Sequence, residues 1–217
     1  MTKIGVDVGG TFTDLILESD KVAGGVMVHK VPSTPADQSI GVIGGIKEIC
    51  DMAGVAPGDI EKIVHGTTVA TNAVIEYDGA EVGMLTTRGF RDILLLARGK
   101  RPHNFSMQFD VPWQSKPLVK RRNRIPITER IMPPDGNIEV AMDEDEVRAA
   151  AELLKSRGVE AVIVCFIYSF LNNAHEQRAK EIVKEILPVI YVSCSSEVAD
   201  VIREYERFST AAMNAFI

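Results

Sequence analysis

Two short stretches of the sequence carry residue types that can bind phosphate. The first, DVGGTFTD at 7–14, has an aspartate at the end of a strand-like run, followed by glycines and hydroxyls in a turn. Glycines let backbone N–H groups approach phosphate oxygens, and threonine hydroxyls add donors. Asp7 is the candidate catalytic carboxylate and would hold Mg²⁺ through water. The alternative is a tight hairpin with a locally satisfied aspartate. The candidate nucleotide phosphate-binding residues are Gly9, Gly10, Thr11, Phe12 and Thr13.

The second stretch, HGTT at 65–68 with Asn72 one turn later, lies at a predicted junction between a strand and a helix. Free N–H groups at a helix start favour an anion. His65 is a second candidate catalytic residue, able to orient a substrate or transfer a proton. The alternative is a helix capped by a threonine and a core histidine. The candidate residues that face substrate or phosphate are Gly66, Thr67, Thr68 and Asn72.

The elements that must position these residues follow from hydrophobic periodicity. Three β-branched runs predict a strand meander at 3–8, 12–18 and 25–31, and Thr34-Pro35 predicts the start of a helix to about residue 52. The face of this helix is predicted to be Ile40, Ile43, Ile46, Ile49 and Cys50. Alternating strands and helices follow, ending in one helix over 197–217. This order predicts an α/β fold with a mixed sheet, and both candidate stretches lie at strand ends, where such sheets bind ligands.

One segment departs from this pattern. Residues 98–142 are proline-rich and weakly periodic, and 98–124 hold eight Lys and Arg against one acid, Asp110. We interpret 98–142 as an irregular insertion, so that 1–97 and 143–217 form one domain. The basic stretch, with aromatics Phe105, Phe109 and Trp113, can contact an anionic substrate, a partner subunit or nucleic acid, or can be a solvated surface.

Composition limits the classes of protein. The 217 residues carry 24 Lys and Arg against 30 Asp and Glu, a net charge of -6, which argues against nucleic acid as the main partner. No run approaches the ~20 apolar residues of a membrane span, and no signal peptide is evident, so we expect a cytoplasmic protein. Cys50, Cys165 and Cys194 are expected to be buried thiols, because their spacing fits neither disulfides nor zinc. The last predicted helix has no cap or polar tail, so we expect the chain to belong to a longer protein.

The two stretches together resemble the N-terminal region of the hydantoinase A/N-methylhydantoinase/5-oxoprolinase family. The matching residues are 4–14 (IGVDVGGTFTD), 65–72 (HGTTVATN), 129–131 (ERI), 197–198 (EV) and 204–210 (EYERFST). The resemblance implies the fold of the actin, sugar-kinase and heat-shock-chaperone ATPase superfamily. The expected element is a ribonuclease H-like half-fold, with a three-strand meander followed by α/β units and the irregular insertion.

The resemblance also implies an activity. Members of the family use ATP to open cyclic amides such as hydantoins or 5-oxoproline, and many act with a B-type subunit. This chain would be the phosphate-binding N-terminal part, with ATP and Mg²⁺ as cofactors, in an enzyme that phosphorylates the lactam oxygen before ring opening. The fragment alone is expected to be inactive. Three alternatives stay open: a kinase-like ATPase, an ATP-dependent ketone carboxylase subunit, and a non-enzymatic nucleotide-sensing or reactivating module of the same fold.

Overall fold

The structure of the chain, a computed structural model, describes residues 1–100 and 112–217. The chain divides into two compact units, Met1–Asp78 and Gly79–Ile217. Among the described residues, no helix is both long enough and apolar enough to cross a bilayer. His103, Phe105, Phe109 and Asp110 of the basic stretch, and the side chain of Trp113, lie outside the described part.

The first unit contains one mixed sheet with a helix on one face. Its elements are β1 (Thr2–Val8), β2 (Phe12–Glu18), β3 (Val26–Pro32), α1 (Gln38–Ala53), β4 (Ile60–Thr67) and α2 (Val69–Glu76), with a 3₁₀ turn at Pro57–Asp59. The strand order is β3-β2-β1-β4, in which the first three strands pair antiparallel and β4 pairs parallel to β1. The predicted meander and mixed sheet are confirmed here, and alternation along β1 and β2 buries one face of these strands under α1.

Helix α1 differs from its prediction in both its start and its buried face. The helix begins at Gln38 with Asp37 as its N-cap, because the Thr34 hydroxyl instead donates to the Asp37 carbonyl. The sheet-facing positions include Gly41 and Gly45, whereas Ile40 and Ile43 are exposed. A Cβ at Gly45 would lie 2.7 Å from Leu15 Cδ1, so the glycine allows the helix backbone to approach the sheet. The predicted isoleucine face is therefore wrong for its first two members.

The second unit contains a separate, all-parallel sheet, which the sequence does not distinguish from the first. Its strands are β5 (Val82–Thr87), β6 (Arg124–Ile127), β9 (Ala161–Cys165) and β10 (Tyr191–Cys194), in the order β10-β9-β5-β6, and β7 (Arg130–Met132) with β8 (Asn137–Val140) form a hairpin. Local sequence predicts strands but not which distant strands pair. Strand β9 is buried along its whole length, as its apolar run predicts.

The helices of the second unit are α3 (Ile93–Leu96), α4 (Pro112–Ser115), α5 (Glu144–Ser156), α6 (Ala174–Ile186), α7 (Ser195–Val198) and α8 (Glu204–Phe216), with a 3₁₀ turn at Arg121–Asn123. Helices α5, α6, α7 and α8 pack on the sheet. Asp143 caps α5 as predicted, since its side chain accepts from the Glu146 N–H. The helix predicted over 197–217 is two helices, α7 and α8, separated at 199–203, where Arg203 has a φ of 81°.

The segment predicted as an irregular insertion contributes one strand to the second sheet. Strand β6 pairs parallel to β5, from Met84 opposite Arg124 to Thr87 opposite Ile127. The segment is therefore not wholly an excursion from the sheet. This strand is difficult to predict from the sequence, because Pro126 lies inside it. Strand β6 is an edge strand, where a proline is tolerated.

Candidate functional site

The carboxyl ends of β1 and β4 position the first candidate residues. These strands are parallel, and their register places Asp7 beside Gly66. The Asp7 side chain is exposed, on the face of the sheet opposite α1, between the buried Val6 and Val8. A Cβ at Gly66 would lie 3.7 Å from Asp7 Oδ1, so the glycine leaves room beside the carboxylate. Asp7 is thus available to a ligand above the sheet.

A second carboxylate lies across from Asp7 on the neighbouring strand. The antiparallel register of β1 and β2 pairs Asp7 directly with Asp14. Asp14 Oδ1 lies 3.0 Å from Lys30 Nζ on β3, and Lys30 also lies over the Phe12 ring. Among the described residues, no cationic side chain lies within 4 Å of the Asp7 carboxylate. Like charges directly opposite each other destabilise a sheet, and a bound cation would relieve this repulsion.

The turn between β1 and β2 requires glycine at its first position. The Gly9 N–H donates to the Phe12 carbonyl at 3.0 Å, which closes the turn. A Cβ at Gly9 would lie 2.9 Å from that same carbonyl oxygen, which is backbone and cannot move aside alone. Gly10 and Thr11 are exposed at the tip. The turn therefore presents backbone to solvent at the end of the sheet.

The N-terminus of α2 lies against this turn. The Thr68 N–H donates to the Val8 carbonyl at 3.1 Å, which joins the start of α2 to the end of β1. A Cβ at Gly10 would lie 3.3 Å from Asn72 Nδ2, and one at Gly9 would lie 3.9 Å from Thr68 Oγ1. The first N–H groups of a helix have no partner within it and favour anions. The structure thus brings the two candidate stretches together, with Asn72 and Thr68 beside the turn.

Three of the predicted residues do not face this site. The Thr13 side chain is buried beneath the turn, with its hydroxyl 3.0 Å from Ser33 Oγ. The Thr67 hydroxyl donates to the Val8 carbonyl and accepts from the Val69 N–H, so it links the strand to the helix. His65 pairs in register with Val6 and therefore projects from the opposite sheet face to Asp7. The geometry does not support a joint catalytic role for His65 and Asp7.

Ser33 is a residue of the site that sequence reasoning missed. It follows β3 and donates from its hydroxyl to the Gly9 carbonyl at 2.7 Å, while its N–H donates to the Thr11 carbonyl at 3.0 Å. These two bonds hold the turn from behind. A serine after a strand and before Thr34-Pro35 has no local signal of this contact, because its partners lie more than twenty residues earlier in the chain.

Several basic side chains of this stretch form contacts within the second unit. Arg121 forms a two-pronged ion pair with Asp92, at 2.9 Å for each contact, and holds the pKa of that carboxyl below its usual range. The Arg124 side chain is buried and donates to the Val119 carbonyl. The remaining ion pairs of described members are Arg98 with Glu206, Lys120 and Arg122 with Glu81, and Arg124 with Asp92. These five described members of the stretch therefore have partners within the chain.

The other residues that carry the resemblance form an internal polar network in the second unit. The buried Glu129 accepts from the Thr87 hydroxyl and from His175 Nδ1, the latter at 2.9 Å. Arg207 donates to the Phe166 carbonyl at 2.9 Å and to Ser195 Oγ at 3.0 Å. Each of these polar groups has a protein partner. The network therefore holds together the loops at the carboxyl ends of β5, β9 and β10.

Glu176 is the central acid of this network and had no sequence signal. It is fully buried and accepts from the Phe166 N–H at 2.8 Å, and from the hydroxyls of Ser195 and Ser196 at 2.6 and 2.7 Å. Burial raises the pKa of Glu176, although these hydrogen bonds favour the charged form. All three cysteines are buried and free, as predicted. Among the described residues, no cluster of three or more acidic, histidine or cysteine side chains could hold a metal.

Comparison with known proteins agrees with the resemblance. A family model described as the hydantoinase/oxoprolinase N-terminal region matches residues 3–187. The chain is 38% identical over 219 residues to the caprolactamase alpha subunit of Pseudomonas jessenii, and 34% identical over 234 residues to the acetophenone carboxylase gamma subunit of Aromatoleum aromaticum. These matches cover 99% and 100% of this chain. The chain spans 31% of the length of each of these relatives.

Two solved structures share its fold. The ATP-dependent caprolactamase from Pseudomonas jessenii matches with a TM-score of 0.81 at 37% identity, over 99% of this chain and 31% of that chain. A nucleotide-free acetone carboxylase matches with a TM-score of 0.85 at 23% identity, over 100% of this chain and 32% of that chain. The α/β architecture with mixed sheet and helices is therefore that of both proteins.

Proposed function

Because this chain belongs to the hydantoinase/oxoprolinase family, matching its N-terminal region, we propose that it is the phosphate-binding part of an ATP-dependent cyclic-amide hydrolase. The observation that carries the proposal is the meeting of three features at one sheet end. The Gly9–Phe12 turn, the N-terminus of α2 and the exposed Asp7 carboxylate lie together there. Since the chain spans about a third of its relatives, the activity, substrate and partners belong to the full-length protein.

The fold supports a more specific assignment for the first unit. An antiparallel meander of three strands followed by a parallel fourth strand and a helix agrees with the first elements of an actin-like, ribonuclease H-like half-fold. We assign β1–β4 with α1 and α2 to this half-fold. We keep the proposed domain organisation, 1–97 with 143–217 as the ATPase domain and 98–142 as an insertion, although β6 of the insertion belongs to the second sheet.

The residues at the site fit magnesium. Mg²⁺ commonly binds one or two carboxylates, several waters and the substrate phosphates, and Asp7 offers an exposed carboxylate opposite Asp14. When bound there, the ion would neutralise charge on the phosphates. Asp7 would hold it, through water, and Lys30 would keep the Asp14 charge compensated. The turn and the start of α2 would direct N–H groups at phosphate oxygens, with the Asn72 amide and the Thr68 hydroxyl beside them.

The proposed chemistry explains why ATP is used. A lactam resists water because amide resonance stabilises it. Phosphorylation of the lactam oxygen removes this resonance, so that water can add to the carbon and the protonated ring nitrogen can leave. The acyl phosphate formed in this way is then hydrolysed by a second water, which releases inorganic phosphate and the ring-opened acid. Such a transfer needs positioning and charge neutralisation more than covalent help from the protein. Asp7 and the Gly9–Phe12 turn offer both. His65 has no assigned step, because it projects from the other face of the sheet.

A second candidate function is favoured by one comparison. The relative at 34% identity is a subunit of an acetophenone carboxylase. In an ATP-dependent ketone carboxylase the same phosphate site would serve a different acceptor. The two relatives are named as subunits of larger enzymes. We therefore propose that the full-length protein acts with a partner subunit of the B type in either case.

The experiment is ADP release by the full-length protein with its partner subunit. The panel contains 5-oxoproline, hydantoin, N-methylhydantoin and caprolactam, and separately ketones with labelled bicarbonate. We expect one lactam to stimulate ADP release together with formation of the ring-opened acid. Incorporation of labelled carbon into a ketone, without ring opening of any lactam, would replace the hydrolase with the carboxylase. Turnover that leaves a stable phosphorylated product would indicate a kinase, and turnover indifferent to every acceptor would indicate a nucleotide-sensing module.

A further inference from the structure

The turn at the end of β1 is held by a chain of hydroxyl groups beneath it. Ser33 Oγ lies 2.7 Å from the Gly9 carbonyl oxygen and 3.0 Å from Thr13 Oγ1. Thr13 is 1% exposed, so its hydroxyl has no access to solvent. A serine hydroxyl has one proton and two lone pairs. Because that proton goes to the Gly9 carbonyl, which can only accept, the contact with Thr13 requires Thr13 to donate. The chain therefore runs from Thr13 to Ser33 to Gly9.

This chain of hydroxyls fixes the orientation of one peptide group. In a planar trans peptide the C=O and the N–H point in opposite directions. The Gly9 carbonyl is turned toward Ser33, so the N–H of the same peptide, which belongs to Gly10, is turned away from Ser33. The Gly10 N–H donates to no backbone acceptor within the described residues. Gly10 itself is exposed. A donor that is oriented and free in this way is available to an anion above the turn.

The Ser33 backbone adds a second restraint on the same turn. Its N–H donates to the Thr11 carbonyl at 3.0 Å. The turn is therefore held at two of its carbonyls by one residue. A glycine pair is otherwise free to rotate, since glycine has the widest choice of backbone angles. Without the Ser33 hydroxyl, the Gly9–Gly10 peptide would lose the bond that sets its direction.

We propose that Ser33 is a positioning residue for nucleotide phosphate, which acts by directing the Gly10 N–H toward the ligand. This inference rests on the proposed phosphate site. It adds Ser33, which lies outside the two candidate stretches of the sequence. In this arrangement Ser33 does not itself bind the phosphate. It acts through the Gly9 carbonyl, and Thr13 acts through Ser33. This explains why Thr13, predicted as a phosphate ligand, is buried beneath the turn instead.

The test measures the affinity of the full-length protein for Mg·ATP by calorimetry, together with KM for ATP and for the lactam. Ser33→Ala is expected to weaken ATP binding about tenfold, the effect of one hydrogen bond to a charged group, and to leave KM for the lactam unchanged. Ser33→Thr, which keeps the hydroxyl, is expected to restore the affinity. Thr13→Val is expected to have a smaller effect than Ser33→Ala, and the double variant is expected to be no weaker than Ser33→Ala alone.

A matched control lies at the other end of the same strands. Thr2 Oγ1 and Ser19 Oγ form a similar buried hydroxyl pair at 3.1 Å, away from the turn. Ser19→Ala removes a comparable bond and is expected to keep the wild-type ATP affinity. Equal ATP affinity in Ser33→Ala and wild type, or an equal loss in Ser19→Ala, would overturn the proposal. Failure of the wild type to bind Mg·ATP would instead overturn the proposed function, and ATP binding without lactam turnover would leave the Ser33 test intact.

Discussion

The replacement of Asp7 by asparagine tests whether the Asp7 carboxylate serves function or stabilises the fold. Asp7 lies directly opposite Asp14 on the exposed sheet face. Among the described residues, Lys30 lies within 4 Å of the Asp14 carboxylate, and no cationic side chain lies within 4 Å of the Asp7 carboxylate. Two unit charges ~5 Å apart in water repel by about 0.8 kcal/mol. Measured cross-strand pairs contribute roughly 0.2–1 kcal/mol. Lys30 offsets part of the repulsion, so Asp7→Asn is expected to stabilise the β1–β2 pair by about 0.5 kcal/mol.

The activity of the same variant should change in the opposite direction. Loss of the carboxylate that holds Mg²⁺ is expected to reduce lactam-dependent ADP release by at least about a hundredfold. Gain of stability with loss of activity is typical of a residue retained for function.

Hydrogen exchange of the full-length protein, measured by mass spectrometry without metal, follows the β1–β2 amides. A stabilisation of about 0.5 kcal/mol slows their exchange about twofold. Faster exchange of these amides in Asp7→Asn would show that Asp7 supports the fold. Undiminished ADP release would show that Asp7 is not the carboxylate of the phosphate site. Either result would exclude the proposed role of Asp7.

Three further predictions test packing and burial. Gly45→Ala is expected to destabilise α1 by about 1–2 kcal/mol, because the new methyl would overlap side chains of the sheet. At Gly44 a new methyl meets nothing within 4 Å, so Gly44→Ala is expected to stabilise α1 by about 0.5–1 kcal/mol. Hydrogen exchange of the α1 amides measures both effects, and effects of the same sign would contradict the packing. Burial raises the pKa of the Cys165 and Cys194 thiols, so neither is expected to react with iodoacetamide at about pH 8 in the folded protein, and rapid alkylation mapped to either one would contradict this. Arg207→Leu is expected to destabilise the second unit by about 3 kcal/mol, because it leaves buried acceptors unpaired, and a loss below about 1 kcal/mol in denaturant unfolding would contradict this.

Much of the local structure could be predicted from the sequence. The strand over Phe12–Glu18 and the left-handed glycine that ends α1, Gly54 with a φ of 62°, follow directly from alternation and turn chemistry. The sequence also predicts both candidate stretches at strand ends, and the structure pairs those two strands, β1 and β4, side by side. These features depend on residues near one another in the chain, which is why local patterns are sufficient.

The rest depends on partners that are distant in the chain. The isoleucine pattern of α1 was misleading because Gly41 and Gly45, without side chains, face the sheet. The division into two sheets depends on which strands pair, and no local pattern encodes this. Ser33 was missed for the same reason. His65 was grouped with Asp7 by sequence alone, whereas the strand register separates them onto opposite faces.

An isotope experiment distinguishes phosphorylation of the lactam oxygen by ATP from direct hydrolysis of the ring. The lactam is labelled with ¹⁸O at its carbonyl and is turned over in unlabelled water by the full-length protein with its partner subunit. If the lactam oxygen receives the phosphoryl group, the label stays in the C–O–P bridge while the first water adds and the ring nitrogen leaves. When a second water attacks the carbon of the resulting acyl phosphate, the label leaves with inorganic phosphate. We expect one ¹⁸O per phosphate released. Release of unlabelled phosphate, together with a ring-opened carboxylic acid that keeps the ¹⁸O label, would contradict this route.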